Sequence, residues 1–188
     1  MNDHIVFATK NKDKLKEIQK IITVISMEEA GYHLNIVEDG KTYEENAMKK
    51  ATTIMKASGF PTLADDSGIE IDFLLKMPGV NSSTFLTTND NYKDRNQQIL
   101  KMMARTANRK ARFVSVIAFA APNGTRLYTK GYLEGEIAKE AAGTHGFAYD
   151  EIFFLPSLNK TLGQLTLEEK NKISHRSVAL REMVKLLG

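Results

Sequence analysis

Apolar residues recur along this chain with two periods, and the places where the period changes outline a series of strands and helices. Residues 5–8 form a short apolar run of the kind a buried strand uses, followed by the polar stretch Thr9-Lys10-Asn11-Lys12-Asp13-Lys14. Leu15, Ile18, Ile21 and Ile22 then return at helical spacing, so the pattern predicts strand, turn and helix. A second strand is expected over residues 34–37. Thr42-Tyr43-Glu44-Glu45 has the form of a capping box, and Ala47, Ala51, Ile54 and Met55 behind it make one apolar face that Gly59 and Pro61 end. Leu63-Ala64 enters the polar cluster Asp65-Asp66-Ser67-Gly68, which places the aspartates at a strand end. Ile69, Ile71 and Phe73 alternate with Glu70 and Asp72 as in a half-buried strand, and Pro78-Gly79 marks a loop.

The second half of the chain reads as strongly. Residues 92–107 are expected to be helical, with Ile99, Met102 and Met103 on one side. Residues 111–121 make the best strand of the sequence, Asn123-Gly124 is a hairpin signal, and residues 127–137 supply the return. A glycine-rich loop over residues 143–150 carries His145, Phe147 and Tyr149, and a short apolar run follows at residues 152–155. Ser174 is expected to cap a last helix that buries Val178, Leu180, Met183 and Leu187.

Early alternation of strand and helix with a hairpin block in the middle predicts one α/β domain over residues 1–188. We expect a mixed sheet in two lobes, flanking helices and a central substrate crevice beyond the strand ends. The chain has 188 residues, enough to bury a substantial core, and its charged fraction of 26% argues against disorder. A net charge of +3 is spread without long like-charge runs, so no nucleic-acid arm is visible. The absence of cysteine excludes disulfides, thiolate metal sites and cysteine nucleophiles. The first residues lack the pattern of a signal peptide and the apolar runs are too short to span a bilayer, so a soluble cytoplasmic protein is expected.

Four segments could carry chemistry, and each has a plainer alternative. Residues 9–17 would present helix N-terminal N–H groups, Lys10 and Lys14 to an anion, or form a solvated basic turn. Glu45, Asp65 and Asp66 offer the carboxylate oxygens that a hard cation such as Mg²⁺ takes, and an acid beside such an ion can deprotonate water. Alternatively Glu45 serves only a capping box and Asp65-Asp66-Ser67-Gly68 only a turn. In residues 143–150, Phe147 or Tyr149 could stack on a base and Asp150 could accept from it, or the aromatics are simply buried. Lys170 with Ser174-His175-Arg176 could bind a ligand oxygen, or begin a basic helix.

In this order the segments resemble the Ham1 family of inosine triphosphate pyrophosphatases. Thr9, Asn11, Lys14 and Glu17 match a T-x-N-x-x-K-x-x-E opening, Glu45-Asn46-Ala47 an E-N-A helix, and residues 63–69 the stretch L-A-D-D-S-G-I. Pro78-Gly79-Val80 with Ser82, residues 146–150 and Lys170 with Ile173-Ser174-His175-Arg176 match three more motifs, so the likeness covers nearly the whole chain. The resemblance implies a two-lobed fold, often a homodimer, that hydrolyses ITP, dITP or XTP to the monophosphate and pyrophosphate with Mg²⁺. It implies Asp66 as general base and metal ligand, Glu45 as second ligand with Asp65 close by, and Thr9, Asn11, Lys14 and Ser67 on the triphosphate, beside which Lys10 adds charge of this chain's own. Phe147, Tyr149 and Asp150 would bound base and sugar, and Lys170, His175 and Arg176 would meet the base. A donor to its 6-oxo group would disfavour adenine, which has no acceptor there.

The chain departs from the pattern at Lys10, where glycine is usual, at Ser83-Thr84, where Ala-Arg is usual, at Ala148 for glycine, at Glu151 for proline and at Gln164 for an acid. These changes bear on substrate preference, so a pyrophosphatase with another base preference and a catalytically weak nucleotide-binding protein are the alternatives. A nucleic-acid-binding role ranks below them.

Overall fold

A computed structural model describes residues 4–86 and 91–188 of the chain. The part of the N-terminal reading that falls on residues 1–3 lies outside the described residues. Among the described residues, seven strands hydrogen-bond into one mixed sheet in the order β2-β1-β3-β4-β5-β6-β7. They are β1 (Val6–Phe7), β2 (Ile25–Ser26), β3 (Thr62–Ile71), β4 (Lys110–Ala120), β5 (Arg126–Ile137), β6 (Phe153–Leu155) and β7 (Lys160–Thr161). The helices are α1 (Lys12–Gln19), α2 (Tyr43–Ser58), α3 (Tyr92–Met102), α4 (Leu167–Ile173) and α5 (His175–Leu187). β1 runs parallel to both β2 and β3, with Val6 opposite Ile25 and Thr62, whereas β5, β6 and β7 pair antiparallel. Among the described residues, no helix is long and apolar enough to cross a membrane.

The chain forms two compact units. The first comprises residues 1–67, 115–131 and 175–188, and the second residues 68–114 and 132–174. In the first, Phe7, Ile18, Leu63, Ile117, Leu180 and Met183 make the core. Each fully buried side chain of this kind contributes roughly 2 kcal/mol. In the second, Ile69, Ile99, Phe113, Ile137, Ile152 and Phe153 do so, with the Phe113 and Phe153 rings 4.5 Å apart.

Several elements follow the pattern of their residues. α2 starts at Thr42, whose hydroxyl accepts from the Glu45 N–H, and stops at Gly59, which takes the left-handed φ of +72° that a side chain resists. Only half of the expected capping box forms, because the Glu45 carboxylate accepts from the Lys41 N–H instead of the cap residue. The hairpin at Asn123-Gly124 forms between β4 and β5, closed by the Ala121 N–H to the Thr125 carbonyl.

Other expectations are corrected. Residues 34–37 form no strand, and Leu34 and Val37 are exposed; the strand beside β1 is Ile25–Ser26. The aspartates lie inside the ten-residue β3 and not at a strand end or in a turn. Phe73 falls in a short 3-10 turn after β3 and is exposed. α3 ends at Met102, which faces outward, while Met103 is buried. α4 is a helix absent from the sequence reading; Ser174 lies between its end and His175, the first residue of α5, and Val178 is exposed on α5.

Candidate active site

β3 carries three consecutive polar side chains through the interior of the first unit. Successive residues of a strand face opposite ways, so Asp65 and Asp66 enter different surroundings although both are buried.

Asp65 meets cations. Lys14 of α1 lies 2.8 Å from its Oδ1, the Arg176 Nε donates to its Oδ2 at 3.0 Å, and the Ser115 hydroxyl stands 3.5 Å away. Arg176 also donates from Nη1 to Glu17 and from Nη2 to the Ser67 hydroxyl, at 2.9 Å. Burial alone would raise the Asp65 carboxyl, but Arg176, Lys14 and Lys50 outweigh it and hold the group well below the usual carboxylate range. Arg176 is raised by Asp65 and Glu17 against its own burial. The cluster joins α1, β3, β4 and α5.

Asp66 has weaker company. Asn46 Nδ2 donates to its Oδ2 at 3.1 Å, its own Oδ1 accepts from the Ser67 N–H, and Lys50 Nζ stands 3.7 Å off. Lys50 lies closer to Glu38, at 2.5 Å. Burial pushes the Asp66 carboxyl up; Lys50 and Lys14 oppose this, Glu38 and Asp65 add to it, and the result is a pKa of about 6. Gly40 completes this side: its N–H donates to Asn46 Oδ1 at 2.8 Å, and a Cβ there would lie 2.6 Å from that same oxygen. The close approach ties the loop bearing Glu38 to the side chain that orients Asp66.

The turn before α1 is built by its own residues. The Thr9 hydroxyl accepts from the Asn11 N–H, and Asn11 Oδ1 caps the helix by accepting from the N–H groups of Asp13 and Lys14. Lys10 is exposed, with its Nζ 3.4 Å from Asn35 Oδ1. His175 is buried at the start of α5. Glu45 is exposed and holds the Lys41 N–H, and among the described residues no three acidic or histidine side chains gather as a metal cluster.

The remaining residues form a second cluster in the other unit. Asp150 is buried and accepts at Oδ2 from Lys170 Nζ at 2.5 Å and from the Phe147 N–H at 2.9 Å. Lys170 Nζ lies 4.7 Å from the centre of the half-buried Phe147 ring. Tyr149 belongs to the core: only 2% exposed, it stands edge-on to Tyr92 and donates its hydroxyl to the Ser82 carbonyl at 2.5 Å. Burial raises that hydroxyl above the usual phenol range.

Glu38, Asn46 and Lys50 escaped the sequence reading as site residues. The spacing of Asn46 and Lys50, four apart on α2, puts both on one helix face and was a usable signal. Glu38, in an irregular segment beside an exposed Val37, gave none.

The fold and the sequence together match one known family of mixed α/β proteins. Residues 5–186 match the Ham1 family model, and the chain belongs to the Ham1 family. It is 41% identical to a dITP/XTP pyrophosphatase of Leuconostoc mesenteroides, over 97% of this chain and 96% of that protein. Among solved structures it is similar to the Ham1 protein of Staphylococcus aureus, with a TM-score of 0.89 and 35% identity over 98% of this chain and 97% of that one. A HAM1 protein from Coxiella burnetii gives a TM-score of 0.88 and 40% identity, covering 98% of each chain.

Proposed function

We propose that this protein is a hydrolase that splits non-canonical purine nucleoside triphosphates, dITP, XTP and ITP, into the monophosphate and pyrophosphate. The observation that carries this reading is the environment of Asp66, a buried carboxylate that accepts from Asn46, has the Lys50 ammonium 3.7 Å away and is raised by burial to a pKa of about 6. Such a group is ionised at neutral pH and basic enough to take a proton from water. Relatives of nearly equal length that are named dITP/XTP pyrophosphatases support the same substrate class.

In this reading water attacks the α-phosphorus, its proton passes to Asp66, the bond to the bridging oxygen breaks, and pyrophosphate leaves. Lys14, Lys10, Thr9, Asn11 and Ser67 hold the triphosphate. Asp65 stays ionised and anchors Lys14 and Arg176. The donor set also suits a hard divalent ion such as Mg²⁺, because Asp66 and Glu38 both face the single Lys50 ammonium, a cation between two carboxylates. Asp66 and Glu38 would hold the ion; Asp65 is spoken for by Lys14 and Arg176, and Glu45 stands behind as a helix-end acceptor. When bound, the ion neutralises phosphate charge and activates water.

For the base, we assign stacking to Phe147 and hydrogen bonding to Lys170, Asp150 and His175, with Tyr149 supporting the loop from within the core. Arg176 acts on Asp65 and Ser67 in this assignment. A homodimer in the cytoplasm completes the proposal. The test is pyrophosphate release with Mg²⁺ from ITP, dITP, XTP, GTP, ATP, dUTP and UTP, beside a metal-free control. Metal-dependent turnover of ITP, dITP and XTP above GTP and ATP is expected; turnover confined to the pyrimidine nucleotides would overturn the base assignment.

A further inference from the structure

Ala148 sits in the left-handed region, with φ +57°, between the Phe147 ring and the Asp150–Lys170 pair. L side chains rarely adopt this conformation, and alanine has no polar side chain to bond locally in compensation. Strain of this sort persists only where the surroundings over-determine it. One side chain of α3 holds the Ala148 carbonyl. Asn96 is 1% exposed, and its Nδ2 donates to the Ala148 carbonyl at 2.9 Å and to Glu151 Oε1 at 2.9 Å. The Ala148 carbonyl and the Glu151 carboxylate thus meet on the same nitrogen. The preceding residue of α3 does similar work on a neighbouring segment: Arg95, also buried, donates to the Ser82 carbonyl at 3.2 Å, the acceptor that the Tyr149 hydroxyl uses too.

We propose that Asn96 is a positioning residue for base recognition. With Glu151 it clamps Ala148 in its left-handed conformation and so fixes the direction of the Phe147 ring against Lys170. The proposal rests on the reading that Phe147 meets the base. Rotation of the Ala148 peptide to a relaxed φ would turn its carbonyl away from Asn96 and carry Phe147 with it. The Phe147 N–H to Asp150 bond and the Asp150 N–H to Phe147 carbonyl bond would then open as well. Glycine at position 148 would hold the same conformation without strain and so would need the clamp less.

The test is a double-mutant cycle of Asn96→Ala and Ala148→Gly, with dITP kinetics and hydrogen exchange of the residue 147–150 amides. Asn96→Ala is expected to raise KM about fivefold to tenfold, leave kcat within about twofold, and speed exchange at those amides. In the Ala148→Gly background the same change is expected to raise KM less than about twofold. An unchanged KM, or an equal loss in both backgrounds, overturns the clamp. Should Asn96→Ala fail to fold, Glu151→Ala removes one of the two acceptors from a half-buried position. It is expected to give a smaller KM rise that Ala148→Gly also cancels, and the absence of any rise overturns the clamp. Wild-type protein that hydrolyses none of the purine triphosphates refutes the functional reading alone, since the exchange data still judge the clamp.

Discussion

On one side of β3 the Asp65 carboxylate lies against Lys14 and Arg176; on the other, Asp66 has an amide at 3.1 Å and an ammonium at 3.7 Å that Glu38 holds more closely. Residue type and strand are the same and both side chains are buried, but the number of cations in direct contact differs. Asp65 is therefore held ionised well below the usual carboxylate range. Asp66 bears most of the cost of burial uncompensated and titrates near 6. Adjacent carboxylates can thus be given separate tasks by the charges that distant segments bring to each.

This comparison can be broken in order of expected effect. Asp66→Asn should lower kcat for dITP by about 10³-fold or more while the thermal midpoint holds or rises, since a strained buried acid is removed. Near-normal turnover in that variant would return Asp66 to a bystander role. Asp65→Asn should do the reverse first, costing about 3 kcal/mol of stability in urea titrations because Arg176 and Lys14 lose their buried partner. A loss below about 1 kcal/mol would mean that Glu17 alone satisfies Arg176.

The pH dependence of stability in metal-free protein should separate the two groups by sign. Asp66 has a raised folded pKa, so it binds its proton more tightly folded than unfolded, and it subtracts stability as pH rises from about 4 to about 6. Integrated over that window the effect is up to about 3 kcal/mol, and Asp66→Asn should flatten it. Asp65 has a lowered folded pKa, so its stabilisation is present above about pH 4 and lost as pH falls below it. Urea midpoints measured from pH 3 to pH 7 for the wild type and both variants check this; equal slopes in all three would contradict it. The smallest expected effect belongs to Lys10→Gly. An exposed lysine near phosphate should change KM by only about twofold to fourfold, and less at high salt.

The sequence made some of this legible and concealed the rest for physical reasons. β4, the Asn123-Gly124 hairpin and α2 were readable because local pattern and tertiary burial agree there. β3 was not, since Asp-Asp-Ser-Gly favours a turn in isolation, and it becomes strand only where Lys14, Lys50 and Arg176 answer the buried charges. Residues 34–37 show the converse: an apolar run without a partner strand stays irregular and exposed. α4 announces itself only through Thr166 and Glu169, which form a complete capping box around a helix of seven residues. Within the site, the motifs named the residues but not their contacts. Arg176 lies on Asp65 and Glu17, 111 and 159 positions away, separations that no local pattern encodes.

The first unit is assembled from three stretches of chain, and the second is made between them. During synthesis Asp65 and Glu17 leave the ribosome long before Arg176, so a nascent chain must carry two carboxylates destined for burial with Lys14 as their early counterion. Until α5 docks, burying them is unfavourable, and the strand that bears Asp66 has reason to stay open to water. Docking of α5 and closure of the acidic strand are then coupled steps of folding.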